Sequence, residues 1–379
     1  MKLTRAAVAA GILASTVALA ACGSSGGGSG KSGSTAAGGS SASGSGSAGS
    51  GGTTACSSGT LNGEGSTAQT NAMTAWVNAY TKKCTSAKIN YNPTGSGAGV
   101  SQFNAGQVNF AGSDSALDPT KGEVAAAAKA CGSTALDLPM VVGPIAVAYK
   151  LKGVTSLTLT PSVLAKIFTG KITTWNDAAI KSLNSGANLP STKISVVFRS
   201  DASGTTQNFE KYLAAAAPSD FTATPAKDNA ATVFKGTGAA KSQGVAQAIS
   251  TTEGAIGYDE YSFVATTLST AKINNGGGAV AVNKQTASAA AGAAQVTGTG
   301  DDLTLKLDYA TKTPGAYPIV LVTYEIVCSK YKTPATGTFV KNFLTYTANG
   351  GQSLLTGLGY APLPSALQTK VNASIAKIS

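Results

Sequence analysis

The fold is decided by a strand, a polar turn and a helix that follow one another in Val196-Val197-Phe198-Arg199-Ser200-Asp201-Ala202-Ser203-Gly204-Thr205-Thr206-Gln207-Asn208-Phe209. Apolar residues alternate up to Phe198, which predicts a strand, and from Thr205 they recur at helical spacing. The turn offers free N–H groups, hydroxyls and the positive end of a helix dipole. Arg199 adds a fork of donors that suits a tetrahedral oxyanion. The stretch predicts an anion site, although a capped helix beside a surface arginine would have the same sequence.

The first 21 residues have the pattern of a secretory signal. Lys2 and Arg5 precede an apolar run over residues 6–21 that is too short for a membrane span. The run ends in Ala21-Cys22 and resembles a bacterial lipobox, so we expect cleavage before Cys22 and lipid attachment to it. The mature chain would then be anchored at the extracytoplasmic face of the cell membrane.

Residues 22–55 form a predicted tether. Residues 23–55 hold 13 Gly and 11 Ser among 33 positions, and alanine is their only apolar side chain. Such a composition buries too little apolar surface to fold. The following residues are numerous enough for two domains.

The cysteines beyond Cys22 are even in number, which favours two disulfides in an exported protein. Three pairings are possible. Cys56 comes just before a predicted strand and Cys84 ends the helix that follows, so we expect a Cys56–Cys84 bridge, which leaves Cys131 with Cys328. The spacings match no zinc pattern and the chain has no His, so we predict no metal and no cofactor.

The formal charge of +11 is spread thinly, because only 12% of the residues are charged. No lysine-arginine cluster is interleaved with aromatic residues, so we expect no nucleic-acid partner. A diffuse positive field would instead raise the encounter rate with small anions.

Three earlier strand ends carry the same kind of polar atoms as the turn after Arg199. They are Ser66-Thr67, the glycine-rich turn at Ser96, and Ser113-Asp114. Strands that alternate with helices indicate an α/β fold, in which ligands lie beyond the carboxyl ends of the strands.

With these motifs the chain resembles the phosphate-binding proteins of bacterial ABC phosphate importers, of the lipid-anchored actinobacterial type. The resemblance runs from about Gly59 to the C-terminus and rests on Gly-Glu-Gly-Ser-Thr, Gly-Ser-Gly-Ala-Gly, Gly-Ser-Asp and Arg-Ser-Asp-Ala-Ser-Gly-Thr in family order. It implies a two-lobed, type II periplasmic-binding-protein fold, in which each lobe is a sheet flanked by helices. It also implies a monomeric body that does no chemistry on inorganic phosphate and delivers it to the permease and ATPase subunits of an importer.

The resemblance also implies which residues bind phosphate. Ala68 would contribute its backbone N–H, and Asp114 would accept the proton that phosphate carries and sulfate lacks. A later family segment appears here as Lys241-Ser242-Gln243-Gly244 and departs from the family pattern. The implied phosphate-binding positions are Thr67, Ala68, Ser96, Asp114, Arg199, Ser203, Gly204 and Thr205.

Two long apolar segments, residues 138–149 and 318–327, are expected to cross between the lobes, which would make the first lobe discontinuous. We therefore expect lobe 1 to begin with residues 56–142, lobe 2 to span 143–318, and residues 319–379 to return to lobe 1. A helix with Phe339 and Phe343 on one face would pack back on the first lobe.

Two other functions compete with transport. A secreted phosphatase or hydrolase could use Ser203 as its nucleophile, but the chain has no His and no Ser-x-x-Lys motif to activate it. A lipid-anchored phosphate sensor or adhesion module could share the same fold.

Overall fold

The computed structural model describes residues 54–379, so the predicted signal, Cys22 and nearly all of the predicted tether lie outside the described residues. Strands in this part of the chain are β1 (Gly59–Gly65), β2 (Ala87–Pro93), β3 (Phe110–Ser113), β4 (Ala135–Tyr149), β5 (Thr158–Leu159), β6 (Ser195–Arg199), β7 (Thr237–Ala239), β8 (Ala255–Glu260), β9 (Ser269–Thr270), β10 (Lys272–Asn274), β11 (Ala279–Val280), β12 (Gln295–Val296), β13 (Leu305–Lys306) and β14 (Val320–Cys328). Its α-helices are α1 (Thr70–Lys83), α2 (Ser96–Asn104), α3 (Glu123–Cys131), α4 (Pro161–Phe168), α5 (Ala178–Leu183), α6 (Gly204–Ala216), α7 (Ala230–Val233), α8 (Lys241–Thr251), α9 (Lys284–Ala291), α10 (Pro334–Ala348), α11 (Gln352–Leu355) and α12 (Ser365–Ala376). Short 3-10 helices occupy Pro119–Lys121, Tyr261–Phe263 and Thr356–Leu358.

One mixed sheet runs through both lobes in the order β2-β1-β3-β14-β4-β8-β6-β7, and β9 pairs with β4. The β1 strand is parallel to β2 and β3 in one half, and β6 is parallel to β7 and β8 in the other. The antiparallel pair of β14 and β4 joins the two halves. The carboxyl ends of β1, β3 and β6 carry the polar turns that are predicted from the sequence to form a binding site.

Two hydrophobic cores correspond to the two lobes. The first packs α1, α10 and α12 against β1, β3 and β14, and the second packs α4, α6 and α8 against β6 and β8. The long strand β4 serves both cores, since Met140 and Val142 lie in the first and Ile145 and Val147 in the second. Such sharing is expected of a segment that crosses between lobes.

The predicted helix stripe on α10 is confirmed, because Phe339, Val340, Phe343 and Leu344 are all buried in the first core. Part of α9 packs there too, although the expected lobe boundaries assign residues 284–291 to the second lobe. Those boundaries stay a prediction.

Both expected disulfides are present. Cys56 is bonded to Cys84 with 5.2 Å between their Cα atoms, and Cys131 is bonded to Cys328 with 5.4 Å. The first closes a short loop around α1, and the second ties α3 to the end of β14. None of the helices between Thr54 and Ser379 combines the length and apolar character that a membrane span needs.

Candidate functional site

Asp114, which directly follows β3, is the centre of a buried polar cluster. Its Oδ1 accepts hydrogen bonds from the hydroxyls of Ser66 and of Thr323, the latter at 2.8 Å. Its Oδ2 faces the hydroxyls of Thr205 at 3.2 Å and Ser96 at 3.4 Å. The cluster joins the carboxyl ends of β1 and β3, the start of α2 and the start of α6, as the parallel strands predict.

Burial dominates the ionisation of Asp114. The carboxyl is only 3% exposed, and burial raises its pKa above the ordinary value. Hydrogen bonds from Ser66 and Thr323 and the positive charge of Arg199 oppose this rise. A carboxyl group in such surroundings can hold a shared proton between itself and a ligand.

Arg199, the last residue of β6, is 2% exposed and is only partly paired. Its Nε donates to Oδ1 of Asp201 at 2.9 Å, and its Nη2 donates to Oδ2 of the same carboxylate. Its Nη1 is buried and has no hydrogen-bond partner among residues 54–379. A buried guanidinium nitrogen without an acceptor is costly, so this arm is suited to an anion.

Asp201 fixes the orientation of that guanidinium. Although burial disfavours its charge, the bonds from Arg199 hold the pKa of Asp201 below its ordinary value. The same carboxylate accepts the backbone N–H of Lys241 at 2.7 Å. Arg199 is therefore held rigidly, with its free nitrogen directed away from Asp201.

Helix α6 begins beside Asp114. Ser203 is its N-cap, and the Ser203 hydroxyl oxygen accepts the Thr206 N–H at 3.3 Å. The N–H groups of Gly204 and Thr205 have no acceptor within the helix. A Cβ on Gly204 would lie 2.6 Å from Cβ of Asp114 and 2.8 Å from Oγ of Ser96, so only glycine allows the two lobes to approach this closely.

Thr67 and Ala68 lie in the turn between β1 and α1. The Ala68 N–H donates to Oγ of Ser66 at 3.1 Å, so it already has an acceptor, and its expected contact with a ligand stays a prediction. Thr67 Oγ1 lies 2.9 Å from Oγ of Ser242 and accepts the Ser242 N–H at 3.3 Å. Ser242 stands in the segment that departs from the family pattern, and it joins α8 of the second lobe to this turn.

Replacing Ser242 by alanine should weaken anion binding modestly. The backbone bond to Thr67 would remain, but the hydroxyl contact would be lost. This loss should destabilise the form in which the two lobes touch by about 0.5–1.5 kcal/mol. Isothermal calorimetry with phosphate measures the change. Gln243→Ala, at the exposed neighbouring residue, is the control. An unchanged affinity in Ser242→Ala would show that the contact does not contribute.

Asp259, near the end of β8, is a further buried acid beside Arg199. Burial raises its pKa to about 8, against the charge of Arg199 and hydrogen bonds that include the Ser242 hydroxyl. Below that pH the group is mostly neutral. Asp259 therefore adds little negative charge to a site that already contains the carboxyl groups of Asp114 and Asp201.

Two polar contacts of the cluster were not predicted from the sequence. Thr323 lies inside an apolar strand, where a lone polar residue was the only signal. Asn208 lies one helical turn after Gly204 and donates to the carbonyl oxygens of Asp114 at 2.6 Å and Gly204 at 2.8 Å. Asn208 links the second lobe to Asp114, and Thr323 holds the carboxyl group of Asp114 from β14 of the first lobe.

A cavity of about 530 Å³ adjoins the cluster. Asp114 and Asn208 lie at its inner end, and the exposed residues Pro119 and Lys306 also line it. Val322 and Tyr324 of the first core and polar residues of α6 form its walls. The cavity therefore extends from the cluster to the protein surface along the junction of the lobes.

Comparison with known proteins gives one consistent family. The family model of the PBP superfamily domain matches residues 50–350. Phosphate-binding protein PstS2 of Mycobacterium bovis is 44% identical over 320 residues, which cover 82% of this chain and 85% of that protein. PstS 3 of Mycobacterium tuberculosis is 46% identical over 315 residues, which cover 81% of this chain and 84% of that protein.

Solved structures agree on the fold. The periplasmic phosphate-binding protein PfluDING, solved with bound phosphate, matches with a TM-score of 0.69 at 24% identity, over 83% of this chain and 93% of that chain. A phosphate-binding protein from Stenotrophomonas maltophilia matches with a TM-score of 0.64 at 22% identity, over 83% and 94% of the two chains. The chain thus belongs to the PBP superfamily and, within it, to the family of PstS phosphate-binding proteins.

Proposed function

We propose that the protein binds inorganic phosphate between its lobes and delivers it to the permease of an ABC importer. The unpartnered Nη1 of the buried Arg199 carries this proposal, because it needs an anionic acceptor. The N–H groups at the start of α6 and the hydroxyls of Thr67, Ser96 and Thr205 would donate to the remaining oxygens. The names of the mycobacterial relatives support the same ligand.

Equilibrium binding to the folded body tests the ligand. Phosphate and arsenate, which are both tetrahedral and protonated near neutral pH, should compete for one site, and sulfate should bind much more weakly. Stoichiometric binding of sulfate with an affinity equal to that of phosphate would contradict the proposal.

The site supports binding without catalysis. The Ser203 hydroxyl oxygen caps α6 by accepting the Thr206 N–H, and the chain contains no His to act as its base. We therefore propose that phosphate leaves the binding site chemically unchanged. Incubation with a chromogenic phosphate monoester should give no turnover above that of the Ser203→Ala variant.

Delivery to a membrane permease requires that the protein stay near the membrane. Lipid attachment at Cys22 and the predicted tether over residues 22–55 would provide this. The proposed partners are therefore the permease and ATPase subunits of the importer, with a monomeric body at the extracytoplasmic face.

Phosphate should close the protein by rotating one lobe toward the other. Cross-lobe bonds such as Gly97 N–H to the Ala202 carbonyl at 3.0 Å, and Thr205 to Asp114, exist only when the lobes meet. Small-angle scattering should therefore show a smaller radius of gyration with phosphate than with sulfate at equal ionic strength. An equal radius in both solutions, under conditions where calorimetry shows phosphate bound, would argue against closure.

A further inference from the structure

Another buried acid lies behind the candidate site and takes no part in the contacts described so far. Glu325, on β14, is 1% exposed, and neither of its carboxyl oxygens has a hydrogen-bond partner among residues 54–379. The side-chain oxygen of Gln69, which is fully buried, also lacks a partner in this part of the chain. Three buried acceptors without donors would be costly if Glu325 were an unpaired carboxylate.

The sheet brings Glu325 and Gln69 together. Strand pairing places Glu325 opposite Gly112 of β3. A Cβ on Gly112 would lie 2.0 Å from Nε2 of Gln69 and 2.4 Å from the hydroxyl oxygen of Tyr91. The missing side chain at position 112 thus makes room for the Gln69 amide, which faces the Glu325 carboxyl group.

We propose that Glu325 is a protonated acid that forms a two-bond ring with Gln69. The O–H group of Glu325 donates to Oε1 of Gln69, and Nε2 of Gln69 donates one proton to the carbonyl oxygen of Glu325. The second Nε2 proton is the one donated to Tyr91 at 3.0 Å. The added proton gives Oε1 of Gln69 a donor, and the free N–H of the Gln69 amide serves the other oxygen of Glu325 once the two groups pair.

The charges around Glu325 favour its neutral form. Burial raises its pKa well above the ordinary value, and the nearby carboxyl group of Asp114 adds to the rise. Tyr91 on β2 is the other ionisable group that faces it, and Glu64 on β1 acts on Tyr91. Strand β4 presents the apolar Leu138 opposite Glu325. The groups named here provide no positive charge that would stabilise a carboxylate.

The ring positions the anion site, an assignment that rests on the proposed function. Gln69 donates to Tyr91, and the Tyr91 hydroxyl donates to the Ser66 carbonyl oxygen at 2.9 Å. Ser66 in turn holds Asp114 through its own hydroxyl and precedes Thr67. Glu325 is therefore a positioning residue for the turn that presents Thr67 and Ala68.

Infrared spectroscopy tests the proton directly. At neutral pH the protein should show the carbonyl stretching band of a buried carboxylic acid, and Glu325→Gln should remove one such component from the difference spectrum. Glu253→Gln, at an exposed glutamate, is the matched control and should leave that region unchanged. Identical acid bands in the parent and Glu325→Gln would overturn the proposal.

Phosphate calorimetry tests the positioning role. Glu325→Gln keeps both bonds of the ring as an amide pair, so its affinity should stay within about twofold of the parent. Glu325→Leu leaves Oε1 of Gln69 without a donor and should weaken binding about tenfold, the size of one buried hydrogen bond. Equal affinities in the two variants would overturn the positioning role.

Stability measurements keep the proposal testable if Glu325→Leu does not fold. A group that is protonated when folded and ionised when unfolded makes the free energy of unfolding fall as pH rises above its ordinary pKa of 4.5. The parent should therefore lose more stability than Glu325→Gln between pH 5 and pH 8, and equal pH dependence would overturn the proposal. If the parent failed to bind phosphate, the proposed function would fail, while the infrared and stability results would still decide the state of Glu325.

Discussion

Replacing Arg199 by alanine should weaken the binding of phosphate, arsenate and sulfate together, by about 2–5 kcal/mol or roughly 30-fold to several thousand-fold. The guanidinium is the cation at the centre of the site, and its Nη1 is the buried donor without a partner. Its loss would also leave the Asp201 carboxylate beside the site without its neutralising partner. Calorimetry with each oxyanion measures the effect, and selectivity among the three ions should change little.

Two control variants distinguish a direct contact between Arg199 and the anion from the general effect of a positive charge. Arg199→Lys keeps the positive charge but not the planar fork, so it should recover only part of the affinity. Lys193→Ala removes the same charge from an exposed position just before β6 and should change the affinity by less than about twofold. If Lys193→Ala weakened binding as much as Arg199→Ala, the loss of affinity would come from the diffuse positive field of the protein and not from a direct contact between Arg199 and the anion.

Much of the fold could be predicted because its signals are local. The alternation before Arg199 and the helix stripe at Phe339 and Phe343 each depend on a few neighbouring residues, and the even cysteine count needs only the composition of the chain. The joining of both lobes through one sheet could not be predicted in this way. It depends on the pairing of β4 with β14, which lie far apart in the chain and share only an apolar composition.

The candidate site was predictable to a similar extent. Turns such as Ser96 and Ser203-Gly204-Thr205 stand at strand ends, where the α/β pattern already places ligands. Ser242 and Thr323 reach the site from other elements, and a serine in a helix or a threonine in a strand has no distinctive pattern. Only the tertiary structure shows that their hydroxyls meet Thr67 and Asp114.

Asp114 presents two different oxygens to its surroundings, and this makes its replacement informative. Oδ1 accepts from Ser66 and Thr323, and the oxygen of an asparagine could accept the same two bonds. Oδ2 faces the hydroxyls of Ser96 and Thr205, and each of them must turn away from the carboxylate in order to donate to a bound anion. An amide NH₂ at that place would donate to them instead, and their own protons would become free for an anion.

Asp114→Asn should therefore reduce the selectivity for phosphate over sulfate by about 1–3 kcal/mol, or roughly 5- to 150-fold. Phosphate loses a charged acceptor for its proton but also a repulsive charge, so its affinity should change little. Sulfate, which has no proton to share, escapes the repulsion and gains donors. Competition calorimetry of the two ions in parent and variant measures the ratio, with Arg199→Ala as the control that lowers both affinities. If the ratio in Asp114→Asn equalled that of the parent, the carboxylate would not be the group that recognises the ligand's proton, and its bonds to Ser66 and Thr323 would leave it a role in joining β1 to β14.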